Sequence, residues 1–247
     1  MSKSLKPVLQ SGEVAFALDP SLVNRTMDGI RALIRAERLM PGQTLPSETK
    51  MAAQLGVSRP VLREAMRGLA TLQILAIGNG RKARVASPDA SALGLVLDHA
   101  SYTGGVSIQQ ILDVRRTLEM RTVELAALRR SDREAGELST IVDSMFAALE
   151  RDHSQIQELD IQFHEVIARA SGNPLYSLLI ESFRVITRQT WAIGWRSRST
   201  DENRLDNIHC HQRIARAILD RDAAAAQAQM DAHFQSAMAV LLRAGIV

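Results

Sequence analysis

The chain has 247 residues, 46% of them hydrophobic and 23% charged, a balance that suits a soluble protein with a sizeable core and room for two ordinary domains. One cysteine, Cys210, excludes an internal disulfide framework, and no stretch reaches the roughly 18 apolar residues of a membrane span, so a cytoplasmic protein without a membrane partner is expected. The net charge of +3 hides an asymmetry: residues 1–88 hold 13 Lys/Arg against 6 Asp/Glu, and residues 89–247 hold 17 against 21. A basic first third points to a polyanionic partner for that part alone.

Residues 1–21 lack periodicity and are expected to form a flexible arm. From Leu22, the apolar positions Val23, Met27, Ile30, Leu33 and Ile34 recur at helical steps, and Pro41-Gly42 marks the turn beyond them. Ser47 is a good N-cap for a second helix that turns Met51, Ala52 and Leu55 inward and stops at Gly56. Ser58 caps a third, with Pro60 tolerated in its first turn and Val61, Leu62, Ala65, Met66 and Leu69 facing the core. Two short apolar runs, 74–77 and 83–86, flank Gly78-Asn79-Gly80-Arg81 and predict a hairpin. Helix, turn, helix, helix and hairpin across residues 22–88 is the layout of a winged helix-turn-helix, whose third helix reads the major groove of DNA.

After Pro88 only helical periodicity remains, broken at Thr103-Gly104-Gly105, near Ser131-Asp132, at Gly172-Asn173-Pro174 and around Ser197–Asp206. It predicts an antiparallel bundle of six or seven helices over residues 89–247, among them 107–129, 132–151, 154–170, 174–194, 204–220 and 222–243. The fold class is therefore mainly α, a winged helix-turn-helix followed by an all-helical domain.

On the third helix Arg59, Arg63 and Arg67 fall at i, i+4 and i+8, one face opposite the apolar one. Arginine's fork bonds guanine bidentately or clamps a phosphate, although a solvated helix face would carry the same spacing. The hairpin tip, with Gly80, Arg81 and Lys82, is expected along the minor groove, where glycine permits close approach.

These residues are similar to the signature of GntR-family regulators: Pro41-Gly42, Leu45-Pro46-Ser47-Glu48, and the run from Gly56 to Met66, GVSRPVLREAM. The resemblance covers residues 22–86 and implies that Arg59 and Arg63 are the main DNA contacts. Ser47, Ser58 and Pro60 would stand nearby, with Gly80 at the wing tip. Where family members often place an arginine after the glutamate of this signature, the chain has Thr49, so one contact is missing or replaced.

In the second part, Asp160 and His164 lie at i, i+4 on a predicted helix, and His211 and His233 fall on the last two. One carboxylate and three imidazoles form a plausible set for zinc, nickel or manganese, but the D-x-x-x-H spacing recurs by chance and leaves the matter open. His209 and His211, two apart on a helix, cannot face the same way, and Cys210 reads as a small buried residue. Trp191 and Trp195 read as core or pocket wall.

The segments Ile111–Ala127 and Asp160–Pro174, together with His211 and His233, resemble the FCD ligand-binding domain of the FadR subfamily of GntR regulators. That resemblance implies a divalent ion, zinc first, held by Asp160, His164, His211 and His233. It also implies that Arg116, just ahead of Leu118-Glu119, binds the carboxylate of an effector; a pair between Arg116 and Glu119 on a solvated face is the plain alternative. The expected function is a homodimeric repressor on a palindromic operator, controlling a catabolic operon and released by a small organic or sugar acid. A repressor that answers to the metal itself is the alternative. A metal-dependent enzyme is a remote one, since the chain shows no general base beside the cluster, no nucleophile motif and no phosphate loop.

Overall fold

A computed structural model describes residues 20–78, 82–149, 153–198 and 200–245. Contacts divide the chain into two units, Met1–Ser87 and Pro88–Val247.

In the first unit, the apolar stripe of α1 (Pro20–Ala36) buries Ile30 with Val23, Met27, Leu33 and Ile34 packed around it. α2 (Glu48–Leu55) begins where the Ser47 side chain accepts a hydrogen bond from the Lys50 N–H, 3.3 Å. It ends at Gly56, whose φ of +63° is a left-handed conformation that glycine adopts without steric cost. α3 (Arg59–Thr71) turns Val61, Leu62, Ala65, Met66 and Leu69 into the same core, leaving its arginines outside. Gly68 lets α3 approach α1 closely, since a Cβ there would meet the Met27 sulfur at 3.1 Å. Strands β1 (Leu75–Ala76) and β2 (Arg84–Val85) pair antiparallel, Leu75 opposite Val85, and Thr44 bridges to Arg84 from the segment after the Pro41-Gly42 turn. The wing-tip residues Gly80 and Arg81, like the N-terminal arm up to residue 19, lie outside the described residues.

The second unit holds eight helices among its described residues: α4 (Ser91–Tyr102), α5 (Ile108–Arg129), α6 (Asp132–Leu149), α7 (His153–Ala170), α8 (Pro174–Ser182), α9 (Arg184–Ser197), α10 (Asp201–Leu219) and α11 (Ala223–Arg243). The stretch expected as one helix over 174–194 is two. Buried Ser182 turns its hydroxyl back onto the Leu179 carbonyl, 2.6 Å, and the Phe183 N–H bonds Ile180 rather than Leu179, so the helix bends where Phe183 enters the core. α5 opens with a reciprocal capping box between Ser107 and Gln110. It packs on α7 and α11, while α10 packs on α6 and α11. Val123, Leu138, Met145, Phe163, Ile208, Ile214 and Met230 fill the space between, all fully buried. This packing sets the inner faces of α7, α10 and α11 around one point, with α5 beside it.

Candidate functional site

At that point stand Asp160 and His164 from α7, His211 from α10 and His233 from α11. All four are buried, and each offers a ligand atom within 4.8 Å of the other three. The i, i+4 spacing sets the first two on one helical stripe; only the packing of α10 and α11 brings the others to them. The imidazole centroids are 4.7 Å apart for His211–His233 and 5.1 Å for His164–His233. Phe163 and Phe234 stack edgewise against this group and keep its surroundings apolar.

Each ring is oriented from outside. His211 Nδ1 meets the Asn207 carbonyl at 2.8 Å, so Nδ1 carries the proton and Nε2 a lone pair, 3.0 Å from Asp160 Oδ1. His164 Nδ1 lies against Glu119 Oε2, which likewise turns its Nε2 inward. Glu119 is itself buried and held by Arg115, whose Nε donates to Oε1 at 2.5 Å and whose Nη1 donates to Thr187 Oγ1 at 3.0 Å. Among the described residues, His164 Nε2 and His233 Nδ1 are fully buried without a hydrogen-bond partner. Leaving such atoms unpaired costs about 1–3 kcal/mol each, a cost that a bound cation removes. Inward lone pairs beside a carboxylate, with no donors between them, fit a divalent transition metal.

Positive charge at the centre of this group matters to its carboxylate. Burial pushes the Asp160 pKa up, but the charge that His211, His164 and His233 carry when protonated outweighs it and holds the carboxyl well below the usual range; with the rings neutral, a bound cation would supply that charge instead. Burial raises Glu119 too, and Arg115 and His164 reverse it. Burial, then the proximity of His211 and His164, pushes His233 well below the ordinary imidazole value, so it stays neutral. Below about pH 6.5, the unperturbed histidine value, the unfolded chain takes up a proton here that the folded chain refuses. Stability of the helical unit is therefore expected to fall as the pH drops from 7.5 to 5, and metal affinity with it, because a protonated imidazole has no lone pair to give. Urea unfolding followed by circular dichroism checks this; a midpoint that does not move, or that rises at pH 5, contradicts it.

Arg116 does not reach the cluster. It is half-exposed and bonds Asp231 of α11, its Nε at 3.0 Å, rather than Glu119. Of the two neighbours on α5, Arg115 lines the cavity beside Asp160 and His233. One residue decides the matter, since i, i+4 sets Arg115 and Glu119 on the buried stripe of α5 and turns Arg116 to its flank. Two cavities meet at the cluster: a small one of about 60 Å³ carrying Arg115, Thr187 and Trp191, and one of about 390 Å³. Both are bordered by Arg198, Asn207 and His233. Trp191 and Trp195 stack with centroids 4.8 Å apart, one on the cavity wall and the other in the core. Cys210 is buried, and His209 turns away to Phe146 and Gln212.

In the first unit Arg59, Arg63 and Arg67 share the exposed face of α3. Ser58 occupies the N-cap without spending its hydroxyl on a cap hydrogen bond, and Pro60 sits in the first turn. Glu48, part of the signature, has no role that the sequence pattern assigns. Its carboxylate accepts from Arg63 Nε at 2.8 Å and lies 3.7 Å from Arg59 Nη2, holding both forks on one side of the helix. Ser47, Glu48, Thr49, Arg59 and Lys82 line one surface hollow, so the start of α2, the start of α3 and the base of the wing converge. Arg67 leans on Glu64 one turn away.

Residues 110–236 match the family model of the FCD domain, and residues 22–85 match that of the bacterial regulatory proteins of the gntR family. The chain is similar to the HTH-type transcriptional repressor NanR of Cronobacter sakazakii, 29% identical over 219 residues that cover 85% of this chain and 81% of the relative. The repressor of the same name from Klebsiella aerogenes is 29% identical with the same coverage. Among solved structures, Streptococcus agalactiae GntR superposes with a TM-score of 0.62 at 27% identity, covering 87% of this chain and 98% of the other.

Proposed function

The chain belongs to the GntR family of bacterial regulatory proteins and carries the FCD domain, and from that premise we propose how this ligand-responsive, DNA-binding repressor is switched. The effector is a small organic or sugar acid that enters the cavity beside Asp160, His164, His211 and His233. A divalent ion in that set, zinc before nickel or manganese, supplies open coordination positions for an anionic oxygen. Arg115 provides the cation for the carboxylate: Glu119 and Thr187 fix its fork, and it faces the cavity where Arg116 does not. Glu119 thereby serves two residues, orienting His164 on one oxygen and Arg115 on the other. The observation that carries the reading is this adjacency of a buried four-ligand cluster to an arginine-lined cavity large enough for an organic molecule.

On the DNA side, Arg59 and Arg63 contact the operator from α3, with Ser47, Ser58 and Pro60 beside them, Arg67 on the flanking backbone, and Gly80 and Arg81 at the wing. A homodimer sets two such helices into the halves of a palindrome. Release requires the effector-bound form to hold DNA more weakly by about 1–3 kcal/mol, or roughly 5- to 150-fold. The test is fluorescence anisotropy of a labelled duplex taken from upstream of the chain's own gene, titrated with zinc-loaded protein and then with a panel of hydroxy and sugar acids. Salt-sensitive binding reversed by an acid is the expected result. Binding that zinc alone abolishes would assign the response to the metal, and absence of specific binding to any flanking intergenic DNA would overturn the reading.

A further inference from the structure

Three arginines are buried among the described residues, and two of them have carboxylate partners: Arg115 pairs with Glu119 and Arg130 with Asp132. Arg198, at the end of α9, has none. It is 9% exposed, its Nη1 donates to the Gly194 carbonyl at 3.2 Å, and no carboxylate lies within ion-pair distance of it among the described residues. Asp160 acts on it only through charge at a distance, a pull that Arg243 opposes. A guanidinium taken out of water with no closer counter-charge is costly, so a fold that buries one has a use for its charge. Arg198 borders both cavities, standing between the metal cluster with Arg115 on one side and the 390 Å³ space on the other. That larger space is walled by Arg213 and Arg243 as well, with Asn203, Ser236 and one exposed carboxylate, Asp206. Arg213 spends its Nε on Gln229, 2.9 Å, and both it and Arg243 are exposed at the outer side.

We propose that the effector carries two anionic ends: one acid group faces the cluster and Arg115, and a second, a carboxylate or a phosphate ester at the far end of the molecule, is anchored by Arg198 with Arg243 at the mouth. The inference rests on the acid-sensor reading of the site and adds to it the chemistry of the distal end. The asparagine and serine groups of the larger space serve hydroxyls between the two ends. A molecule of about six carbons fits a space of this size, which lies at the lower end of the usual 300–1,000 Å³ for ligand pockets.

The experiment compares three acids with one six-carbon skeleton on the zinc-loaded full-length chain: gluconate, its diacid glucarate, and phosphogluconate. Binding is read from the fluorescence of Trp191 and Trp195, the chain's two tryptophans, since Trp191 lines the small cavity. At least one of the two acids with a second anionic end is expected to bind more than about 10-fold tighter than gluconate, the lower end for a hydrogen bond to a charged group. Which of them gains tells carboxylate from phosphate. In Arg198→Met the advantage is expected to shrink to within about 2-fold while gluconate affinity holds, and Arg243→Gln is expected to weaken glucarate and phosphogluconate alone. Equal affinity of the three acids for the unaltered chain overturns the proposal without a variant having to fold, and leaves the acid sensor standing. An equal loss of all three in Arg198→Met overturns it as well, marking Arg198 as a structural support. Binding of none of the three overturns the acid-sensor reading beneath it.

Discussion

Asp160→Ala is expected to lower zinc affinity by more than about 100-fold and to erase the thermal stabilisation that zinc confers on the helical unit, since loss of a partner one shell further out typically costs 10- to 100-fold by itself. With zinc at about 1,000 times its dissociation constant, binding to the folded state alone contributes about 4 kcal/mol. For a unit of this size, each kcal/mol moves the midpoint by roughly 2–4 °C, so the unaltered chain should melt about 8–16 °C higher with zinc than with chelator. The difference between the two conditions is the readout, because Asp160 is buried and its removal shifts the baseline whether or not a metal binds. The structural reason for a large effect is that the four groups share one point and three different helices supply them. Glu119→Gln should give an intermediate loss of about 10- to 100-fold, since it touches His164 from behind and reaches no ion. Differential scanning calorimetry with and without zinc decides it; a full zinc shift in Asp160→Ala would remove Asp160 from the ligand set.

Arg63→Ala is expected to weaken operator binding by about 2–6 kcal/mol, roughly 30- to 20,000-fold, if each half-site gives up a bidentate guanine pairing worth 1–3 kcal/mol. The structure favours Arg63 over Arg67 for this role. Glu48 fixes the Arg63 fork from α2, whereas Arg67 has a 75% exposed side chain and pairs with Glu64 one turn away on its own helix. Arg67→Ala should therefore cost uniformly across sequences and lower the slope of affinity against salt by about 0.9 for each phosphate that is no longer neutralised. Glu48→Gln tests the positioning: Arg63 keeps its charge but loses its clamp, so discrimination between operator and random DNA should fall further than affinity for random DNA. Titrations on operator and scrambled duplexes at two salt concentrations separate these outcomes. Equal losses on both duplexes for Arg63→Ala would make it a phosphate ligand and move base reading elsewhere.

The sequence alone determined the elements and most of the site's ingredients, because those depend on local rules. The cap at Ser47, the left-handed stop at Gly56 and the three-and-four spacing of the α3 apolar face are written in short stretches. The arginine face opposite follows from the same period. Asp160 and His164 are also a local pair, four residues apart. Their partners on the last two helices were candidates from the sequence and gained weight from a family resemblance, since no local rule sets the height of His211 on α10 against His233 on α11.

Tertiary structure decided what depends on packing between distant segments. The break at Phe183 arises because that side chain is drawn into a core shared with Ile111 and Ile180, and the pattern of residues 174–194 by itself continues as one helix. That Arg115 lines the cavity beside Asp160 while Arg116 pairs with Asp231 turned on which side of α5 meets α7 and α9, a difference of one residue. Glu48 gained its place beside Arg63 across 15 residues of chain, and Arg198 its burial at the border of two cavities, only once the helices had packed. Burial and charge compensation are properties of the neighbours a residue acquires, and a chain read residue by residue does not contain them.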